Sequence, residues 1–407
     1  MSDLHEQQPE CPWDAVLQED LEIIAGDDRL ATALEGKRIL VTGATGLVGS
    51  QLIRSLACMN RVRDNGMRIY GVIRSPQKAQ KIYGEAFLQR NDVRLLQGDI
   101  TSPDLPDLLQ QQIAKAFISQ DKNSAATEIP NPQEGESARA SDSPDSPPLD
   151  IAGTVDLVIH GASVTASRTM VEKPVETILT AVEGTKHLLD FAHAAGAKSF
   201  VYLSSMEMYG NLEAHTLATE DRLGWLDLLN VRSDYPESKR LCENLCIGYG
   251  KEYGLNVKIA RLAQTFGAGI LEGENRVFAQ FARSAMQSED IVLHTRGLSE
   301  GNYCYTRDAV RGILTIAAYG ANGQAYNVAN EAAHTTIADM AQMVAEYIAG
   351  GAIRVVYDIP ESNVFGYAAD TKLRLDSSKL RSLGWEPEVG LEEMYRRLIA
   401  SMSSNRQ

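Results

Sequence analysis

The sequence predicts an α/β protein in which a doubly wound parallel sheet is combined with a smaller mixed α/β C-terminal lobe. From about residue 38 onward, short apolar runs alternate with helix-length segments, and a glycine-punctuated turn follows the first run directly. Beyond about residue 267 this alternation weakens. Alternating strands and helices favour a parallel sheet with helices on both faces. A chain of 407 residues is long enough for one large domain and a smaller lobe.

The predicted strands of the sheet all lie in the first half of the chain. The predicted strands cover residues 38–42, 68–73, 93–97, 155–160 and 199–203. The predicted helices cover residues 13–25, 47–58, 174–195 and 235–253. A further strand is predicted at residues 355–358, within the smaller lobe.

Composition excludes several classes of function. The formal net charge is -15, and such an acidic surface repels nucleic-acid backbones, although amide dipoles can still hold the phosphates of a nucleotide. The first residues are polar and acidic, and the chain contains no run of 18 apolar residues, so we expect a cytoplasmic protein with no membrane association. The five cysteines are scattered and form no paired CxxC units, so we expect neither a metal site nor a disulfide framework.

The regions of the chain differ in composition. Residues 1–36 are predicted to be a polar leader with a short helix, residues 37–266 the large domain, and residues 267–400 mainly the smaller lobe. Residues 119–150 are rich in Ser, Pro, Asp and Glu and nearly free of large apolar side chains. This segment cannot bury enough surface to offset the entropy of ordering, so we expect a disordered surface insertion.

A glycine-rich turn, Gly-Ala-Thr-Gly-Leu-Val-Gly, follows the first strand and opens a helix. Glycines permit a tight turn and a close approach of the backbone to a pyrophosphate, and the helix N-terminus supplies free amides and a partial positive charge. The strand, turn and helix together predict a Rossmann-type dinucleotide site in residues 37–266. The residues predicted to contact the cofactor here are Gly43, Thr45, Gly46, Leu47, Val48 and Gly49.

The cofactor is predicted to be NAD, with NADP as an open alternative. An acidic residue usually ends the second strand of an NAD site, whereas this strand is followed by Arg74. Arg74 could accept the 2′-phosphate of NADP, or it could be a solvated charge at the end of a strand.

A candidate catalytic set follows the fifth strand. Tyr235 and Lys239 are four residues apart at the start of a predicted helix, so their side chains share one face. A nearby ammonium group favours the ionised form of a phenol, so Tyr235 could act as a base. Ser205 lies about 30 residues earlier, at a strand end where its hydroxyl would reach the same crevice.

The chain resembles the extended short-chain dehydrogenase/reductase family, and specifically its NAD-dependent epimerase/dehydratase branch. The resemblance rests on the glycine turn, Ser205, Tyr235 and Lys239, which follow one another in this order. The resemblance covers roughly residues 37–400, apart from the insertion. Three shorter segments are also similar to this family. They are Asp99-Ile100 at the adenine, His160-Gly161-Ala162 beneath the cofactor, and the segment 261–267 near the sugar nucleotide, with Gln264 where asparagine is usual.

The resemblance implies an enzyme acting on a nucleotide sugar that is held by residues 267–400. Tyr235 would deprotonate the sugar 4-hydroxyl, Lys239 would bind the nicotinamide ribose and lower the pKa of the tyrosine, and Ser205 would hydrogen-bond the reacting oxygen. The product of this step would be a 4-keto sugar. Members of the family commonly dimerise through two helices each, so the resemblance also implies a homodimer through the predicted helices 174–195 and 235–253.

The subclass depends on the residues around this site. Glu207 stands where dehydratases and decarboxylases of the family keep a glutamate, but Met206 replaces the aspartate of many dehydratases. The segments 235–240 and 276–281 are similar to those of UDP-glucuronate decarboxylases, in which Arg276 could orient a substrate carboxylate. Arg276 could equally be an exposed loop residue. We therefore slightly favour decarboxylation, with a 4,6-dehydratase, a 4-epimerase or an NADPH-dependent ketone or aldehyde reductase as alternatives.

One family feature is missing. Gly301 occupies the position at which the family often has an arginine that grips the diphosphate. Either Arg296 or Arg307 would then have to replace it, or the nucleotide is held differently.

Overall fold

The computed structural model describes residues 8–124, 153–213, 216–361 and 370–404. The strands are β1 (Arg38–Thr42), β2 (Arg68–Ile73), β3 (Val93–Gln97), β4 (Leu157–His160), β5 (Ser199–Ser205), β6 (Leu217–Ala218), β7 (Val257–Leu262), β8 (Gln264–Phe266), β9 (Ile291–Leu293), β10 (Glu300–Tyr305), β11 (Gln324–Val328), β12 (Asn330–Thr336), β13 (Val355–Tyr357) and β14 (Arg374–Leu375).

The helices of the described residues are α1 (Ala15–Ala25), α2 (Asp28–Leu34), α3 (Leu47–Arg63), α4 (Pro76–Tyr83), α5 (Glu85–Leu88), α6 (Leu105–Ser124), α7 (Ser167–Glu172), α8 (Pro174–Ala194), α9 (Asp234–Tyr253), α10 (Val277–Gln287), α11 (Thr306–Tyr319), α12 (Ile337–Met343), α13 (Ser378–Arg381) and α14 (Leu391–Ser404). Two 3-10 turns cover Met206–Tyr209 and Val231–Ser233, and a π-helical turn covers Val344–Ile348. Among these residues, none of the helices combines the length and the apolar character needed to cross a membrane.

In the described residues, a sheet of seven parallel strands forms the centre of the molecule, in the order β11-β7-β5-β4-β1-β2-β3. The predicted α/β class with a doubly wound parallel sheet is therefore confirmed. After β1 the chain adds β2 and β3 on one side of it. From β4, which lies on the other side of β1, the chain adds β5, β7 and β11 outward in that direction. The reversal opens a crevice between the carboxyl ends of β1 and β4, which is where ligands bind in such sheets.

The predicted strands agree closely with the observed ones. The fourth begins at Leu157 instead of residue 155, and the fifth continues to Ser205, because Ser205 still pairs with Leu262 of β7. Helix α3 continues to Arg63, five residues beyond the predicted end at residue 58. It ends where Asp64 adopts a left-handed conformation and donates its amide to the carbonyl of Asn60.

The N-terminal segment is part of the core. Helix α1 begins at Ala15, two residues later than predicted, because the side chain of Asp14 caps it by accepting the amide of Leu17. The helix packs against α3 and α14. Leu17, Leu21 and Ile24 on one face of α1 are fully buried. The predicted polar leader therefore contributes an apolar face to the domain.

The residues predicted to form the smaller lobe also contribute to the large sheet. Strands β8, β10 and β12 form a separate sheet, and β9 pairs with β13. In contrast, β11 is the edge strand of the seven-stranded sheet, and α11 packs against β7. The division at residue 267 stays a prediction.

Residues 119–124 of the predicted insertion are helical. Helix α6 continues to Ser124, extending a helix whose buried face carries Leu105, Leu109 and Ile113 at intervals of four residues. The remainder of the predicted insertion, residues 125–150, lies outside the described residues. All five cysteines lie within the described residues, where they are buried and unbridged.

Candidate active site

The glycine-rich turn joins β1 to α3 at the carboxyl end of the sheet. Gly43 has a left-handed φ of +70°, and a Cβ there would lie 3.0 Å from the backbone of Gly161 and Ala162. A Cβ on Gly49 would lie 2.2 Å from the carbonyl oxygen of Gly43. Side chains are therefore excluded at both positions. The N-cap of α3 is Gly46, which carries no oxygen that could accept from the first helical amides. These amides remain available to an anionic ligand.

The other residues predicted at this turn lie at its accessible side. Thr45, Leu47 and Val48 are all partly exposed. Gly43 and Gly46 are partly exposed as well, whereas Gly49 is buried.

His160 supports the floor of the crevice. Thr42 Oγ1 accepts the amides of Gly161 and Ala162 at 3.2 and 3.1 Å, so its own proton is directed to Nδ1 of His160, 2.7 Å away. Nε2 of His160 then donates to Thr185 Oγ1 at 3.2 Å. Burial lowers the pKa of His160 to about 3, so the ring is neutral. Both ring nitrogens are occupied, and only the backbone of this segment can contribute to a ligand site.

The carboxyl ends of β2 and β3 border an open depression. Its lining residues are Arg74, Gln97, Gly98, Asp99, Leu108 and Gln112. Thr101 donates its amide and its hydroxyl to Asp99 Oδ1 at 3.0 and 2.8 Å. The amide hydrogen bond, with smaller contributions from the hydroxyl and from Arg74, holds the pKa of Asp99 below its usual value. The side chain of Ile100 lies elsewhere, buried against Gly184 of α8.

The turn after β5 is held against α9. Ser205 Oγ accepts the amide of Glu207 at 3.2 Å and thereby caps the 3-10 turn Met206–Tyr209. From α9, Arg240 donates to the carbonyl of Met208 at 2.7 Å. This contact sets the position of the turn relative to the helix that carries the candidate tyrosine and lysine.

Tyr235, Lys239, Ser205 and Glu207 come together as predicted. The residues Tyr235 and Lys239 are 8% and 4% exposed. The Lys239 ammonium donates to the carbonyl of Leu203 at 2.9 Å and lies 5.6 Å from the centroid of the Tyr235 ring. Ser205 is a hydrogen-bonding partner of Tyr235. These contacts place a phenol, a hydroxyl and an ammonium at the carboxyl end of β5, which β4 separates from the strand that leads into the glycine turn.

Burial shifts the pKa values of Lys239 and Tyr235 in the directions that favour the neutral forms of both side chains. It lowers the pKa of Lys239 to about 8. It also raises the pKa of Tyr235 above its usual value, and the charge of Glu207 adds to this rise. The hydrogen bond from Ser205 and the charges of Arg232 and Arg276 oppose it. The pKa of Tyr235 in the cofactor-free protein is thus raised, whereas the sequence led us to expect a lowered value.

The predicted substrate-binding residues lie at the outer side of the site. Arg276 directly precedes α10, its side chain is 42% exposed, and it donates to Glu274 through Nε at 3.0 Å and Nη2 at 2.7 Å. Gln264 opens β8, is partly buried and pairs in register with Tyr303. Arg276 is therefore an exposed arginine whose charge nevertheless reaches Tyr235.

The structure rules out one substitute for the missing diphosphate arginine. Arg307 is buried and bonded to Asp20 and Glu388, so it is not available to a substrate. At Gly301 itself, a Cβ would lie 3.6 Å from the terminal methyl group of Met206. The two departures from the family pattern are therefore neighbours in space, and the methionine borders the position of the missing side chain.

A sequence model described as the NAD dependent epimerase/dehydratase family matches residues 108–329, which is more than half of the chain. The chain belongs to this family. The predicted family assignment is confirmed. The chain is 30% identical over 250 residues to UDP-glucuronic acid decarboxylase 1 of Danio rerio, and this match covers 61% of the chain and 57% of the zebrafish protein. The resemblance to decarboxylase sequences is thus also confirmed, over little more than half of that relative's length.

Solved structures show the same epimerase/dehydratase fold. UDP-glucose 4-epimerase of Thermotoga maritima, in complex with UDP-glucose, has a TM-score of 0.67 at 21% identity and covers 91% of this chain and 100% of that chain. The dTDP-glucose 4,6-dehydratase DesIV of Streptomyces venezuelae, with NAD bound, has a TM-score of 0.65 at 20% identity. The match covers 91% of this chain and 98% of that chain. At this level of identity the similarity shows the fold alone.

The predicted NAD cofactor is confirmed at the level of the epimerase/dehydratase family. The glycine turn fits it, because Gly43 and Gly49 let the backbone turn tightly from β1 into α3, whose first amides have no side-chain cap. The open amides of α3 suit the negative charge of that group.

Arg232 is a candidate functional residue of this family member that the sequence analysis missed. Its Nη2 lies 2.8 Å from Glu207 Oε2, and its guanidinium lies 5.9 Å from the centroid of the Tyr235 ring. The only available signal was its position three residues before Tyr235. An arginine in a polar loop gives no reason to expect a contact with a residue 25 positions earlier.

Proposed function

We propose that this chain is an enzyme that oxidises C4 of a nucleotide sugar transiently, and that it uses the 4-keto intermediate for decarboxylation. The observation that carries the proposal is the convergence of Ser205, Glu207, Tyr235 and Lys239 at the carboxyl end of β5, the same end of the sheet as the glycine turn. Family membership and the similarity to UDP-glucuronic acid decarboxylases support it.

Each residue of the site has a distinct role in this proposal. Tyr235 removes the proton of the 4-hydroxyl, and Ser205 hydrogen-bonds the same oxygen as it becomes a ketone. Lys239, held by the carbonyl of Leu203, offers its remaining donors to the nicotinamide ribose. NAD bound at the glycine turn would accept the hydride from C4 and later return it, so the sugar undergoes no net oxidation.

Decarboxylation follows from the chemistry of the oxidised sugar. A uronate with a ketone at C4 is a β-keto acid, so its C5–C6 bond can break as carbon dioxide leaves and the bonding electrons move into the ketone. Proton uptake at C5 then completes the step. Arg276 is the proposed partner of the carboxylate, because it is accessible and its charge reaches Tyr235. Substrate would have to compete with Glu274 for it.

Dehydration is the second candidate, and the placement of Glu207 favours it. The carboxylate lies close enough to Tyr235 to raise its pKa, so it could remove a proton from C5 next to the 4-ketone. Met206 offers no acid for the departing hydroxyl.

For the cofactor we propose NAD in preference to NADP. Arg74 lies at the depression next to Asp99, whose lowered pKa keeps it anionic at neutral pH. Asp99 follows β3 and not β2, but its negative charge beside Arg74 offsets the positive charge that would attract a 2′-phosphate. Comparing the affinities of the purified protein for the two cofactors by calorimetry tests this choice, and tighter binding of NADP would reject it.

The experiment that tests the reaction is mass spectrometry of the products after incubation with NAD and a panel of UDP-, dTDP-, GDP- and CDP-sugars that includes UDP-glucuronate. We expect UDP-glucuronate to lose the mass of carbon dioxide. Loss of water from another sugar would establish dehydration instead, and no product from any sugar would reject both. Tyr235→Phe should abolish turnover, whereas Tyr253→Phe, which changes an exposed tyrosine of the same helix, should not.

We also propose a homodimer formed through α8 and α9, which pack against each other. On α8, Val175, Ile178 and Leu179 are 67%, 40% and 45% exposed and share one helical face. On α9, Leu241 is 52% exposed. Burying these side chains against a second copy would remove a large apolar surface from water. Light scattering should give the mass of a dimer that Leu179→Glu converts to a monomer, and a monomeric wild-type protein would reject the proposal.

A further inference from the structure

Arg232 is held in place by a compact hydrogen-bonded turn. It lies in the middle of the 3-10 turn Val231–Ser233, and Asn230 Oδ1 accepts its amide at 3.0 Å. Ser233 Oγ donates to the carbonyl of Asp227 at 2.6 Å. Side chains on both sides of Arg232 therefore fix the backbone of the turn, and the position of the guanidinium does not depend on Glu207 alone.

The guanidinium lies near both the candidate base and the carboxylate that opposes its ionisation. It bonds to Glu207 at 2.8 Å, with side-chain exposures of 23% for Arg232 and 33% for Glu207. It also lies 5.9 Å from the centroid of the Tyr235 ring. A carboxylate disfavours an ionised phenol nearby, and a guanidinium favours it.

Charged groups from four parts of the chain surround Tyr235. They are Glu207 from the turn after β5, Arg232 from the turn before α9, Asp234 and Lys239 from α9 itself, and Arg276 from the residue before α10. Lys239 is bonded to a carbonyl and Arg276 to Glu274. Arg232 is the cation of this set that is bonded directly to Glu207.

We propose that Arg232 is a positioning residue that compensates the charge of Glu207, so that Tyr235 can ionise next to a carboxylate. This inference rests on the proposed role of Tyr235 as the base. It gives the Glu207–Arg232 pair a function in the oxidation step, separate from any action of Glu207 at C5. It also predicts that the two charges act on Tyr235 in opposite directions and nearly cancel.

The size of the effect follows from the distance. At an effective dielectric constant of about 20, a unit charge about 6 Å away shifts the pKa of an ionising group by about two units. Partial exposure of the pair allows solvent to screen this interaction. We therefore expect a shift of about one unit when Arg232 is neutralised.

The test is the ionisation of Tyr235 in the NAD-bound protein. The ultraviolet absorbance of tyrosinate is measured against pH, and the curve of Tyr235→Phe is subtracted to isolate this residue. Arg232→Gln should move the midpoint about one unit upward, and Arg232→Lys, which keeps the charge, should restore most of the shift. Arg222→Gln, an exposed arginine of the same loop, should leave the midpoint unchanged.

Neutralising the carboxylate distinguishes charge compensation from a merely structural role. Glu207→Gln should move the midpoint downward, and the double variant Arg232→Gln/Glu207→Gln should return it close to the wild-type value. An unchanged midpoint in Arg232→Gln, or a double variant that behaves like Arg232→Gln alone, would overturn the proposal. Since this titration needs no sugar, a protein that turns over no sugar nucleotide but shows the expected midpoints would reject the proposed function and support this inference.

Discussion

Replacing Lys239 by methionine should stabilise the cofactor-free protein at neutral pH while removing its proposed activity. Lys239 is 4% exposed, and its ammonium has the carbonyl of Leu203 as a hydrogen-bond acceptor. The rings of Tyr202 and Tyr235 lie 4.8 and 5.6 Å from the ammonium, but burial outweighs these contacts, so the charged form costs free energy in the folded state. Methionine fills a similar volume without a charge.

The magnitude follows from the pKa. Burial lowers the pKa of Lys239 from 10.5 to about 8, a difference that corresponds to about 3 kcal/mol. Below pH 8 the folded and unfolded states both carry the proton, so the full cost is present. Between pH 8 and 10.5 the unfolded state alone stays protonated, the cost decreases, and above 10.5 it vanishes. Loss of the hydrogen bond to Leu203 destabilises the variant by about 1 kcal/mol. The free energy of unfolding of Lys239→Met should therefore exceed that of the wild type by about 2 kcal/mol at pH 7.

The assay is urea unfolding at pH 7 and near pH 10, with Lys258→Met as the matched control. Lys258 on β7 is 3% exposed, and burial lowers its pKa to about 8 as well. It bonds to Ser199 at the amino end of β5, whereas the site lies at the carboxyl end of that strand. Lys258→Met should therefore also be stabilised at pH 7, yet should keep its activity. A Lys239→Met protein that is less stable than the wild type at pH 7, or whose advantage grows with pH, would refute the reasoning.

Two further variants test the glycine turn and the N-terminal helix. In Gly49→Ala the new Cβ would lie 2.2 Å from the carbonyl oxygen of Gly43. We expect NAD affinity to fall by about tenfold or more and the free energy of unfolding by about 1–3 kcal/mol, measured by calorimetric titration and urea unfolding. Gly248→Ala, in open space on α9, should leave the affinity unchanged. Asp20→Asn should raise the free energy of unfolding at pH 7 by about 1–3 kcal/mol, because burial raises the pKa of Asp20 to about 6 despite its bonds to Tyr305 and Arg397. A less stable Asp20→Asn protein would show that the bonds to the arginines outweigh the cost of burying the carboxylate.

The sheet and the glycine turn were predictable because their signals are local. Each strand is a short apolar run, and the turn needs its glycines for steric reasons that hold within a few residues. The pairing of Tyr235 with Lys239 was predictable for the same reason, since a spacing of four places two side chains on one helical face. Ser205 could be added because parallel strands end at a common edge.

The contacts that the sequence could not predict join distant parts of the chain. Asp20 bonds to Tyr305, Arg307 and Arg397, which lie 285, 287 and 377 positions later. These partners are far away in the sequence, so the polar composition of residues 1–36 suggested a leader. In the structure, one face of α1 is buried and the charged side chains of this helix form ion pairs. The bond between Arg232 and Glu207 has the same character. It depends on how a loop folds over the end of the sheet, which no local periodicity encodes.

The electrostatics of Tyr235 imply that its action as a base depends on the bound cofactor. In the cofactor-free protein, burial and Glu207 raise its pKa above 10, so it keeps its proton at neutral pH. The Arg232 and Arg276 charges oppose this rise without cancelling it. Further positive charge must therefore reach the phenol in the complex, and an oxidised nicotinamide ring beside it has the required sign. We expect tyrosinate absorbance from Tyr235 to extend to lower pH when NAD is added, and titration curves with and without NAD that coincide would contradict this coupling.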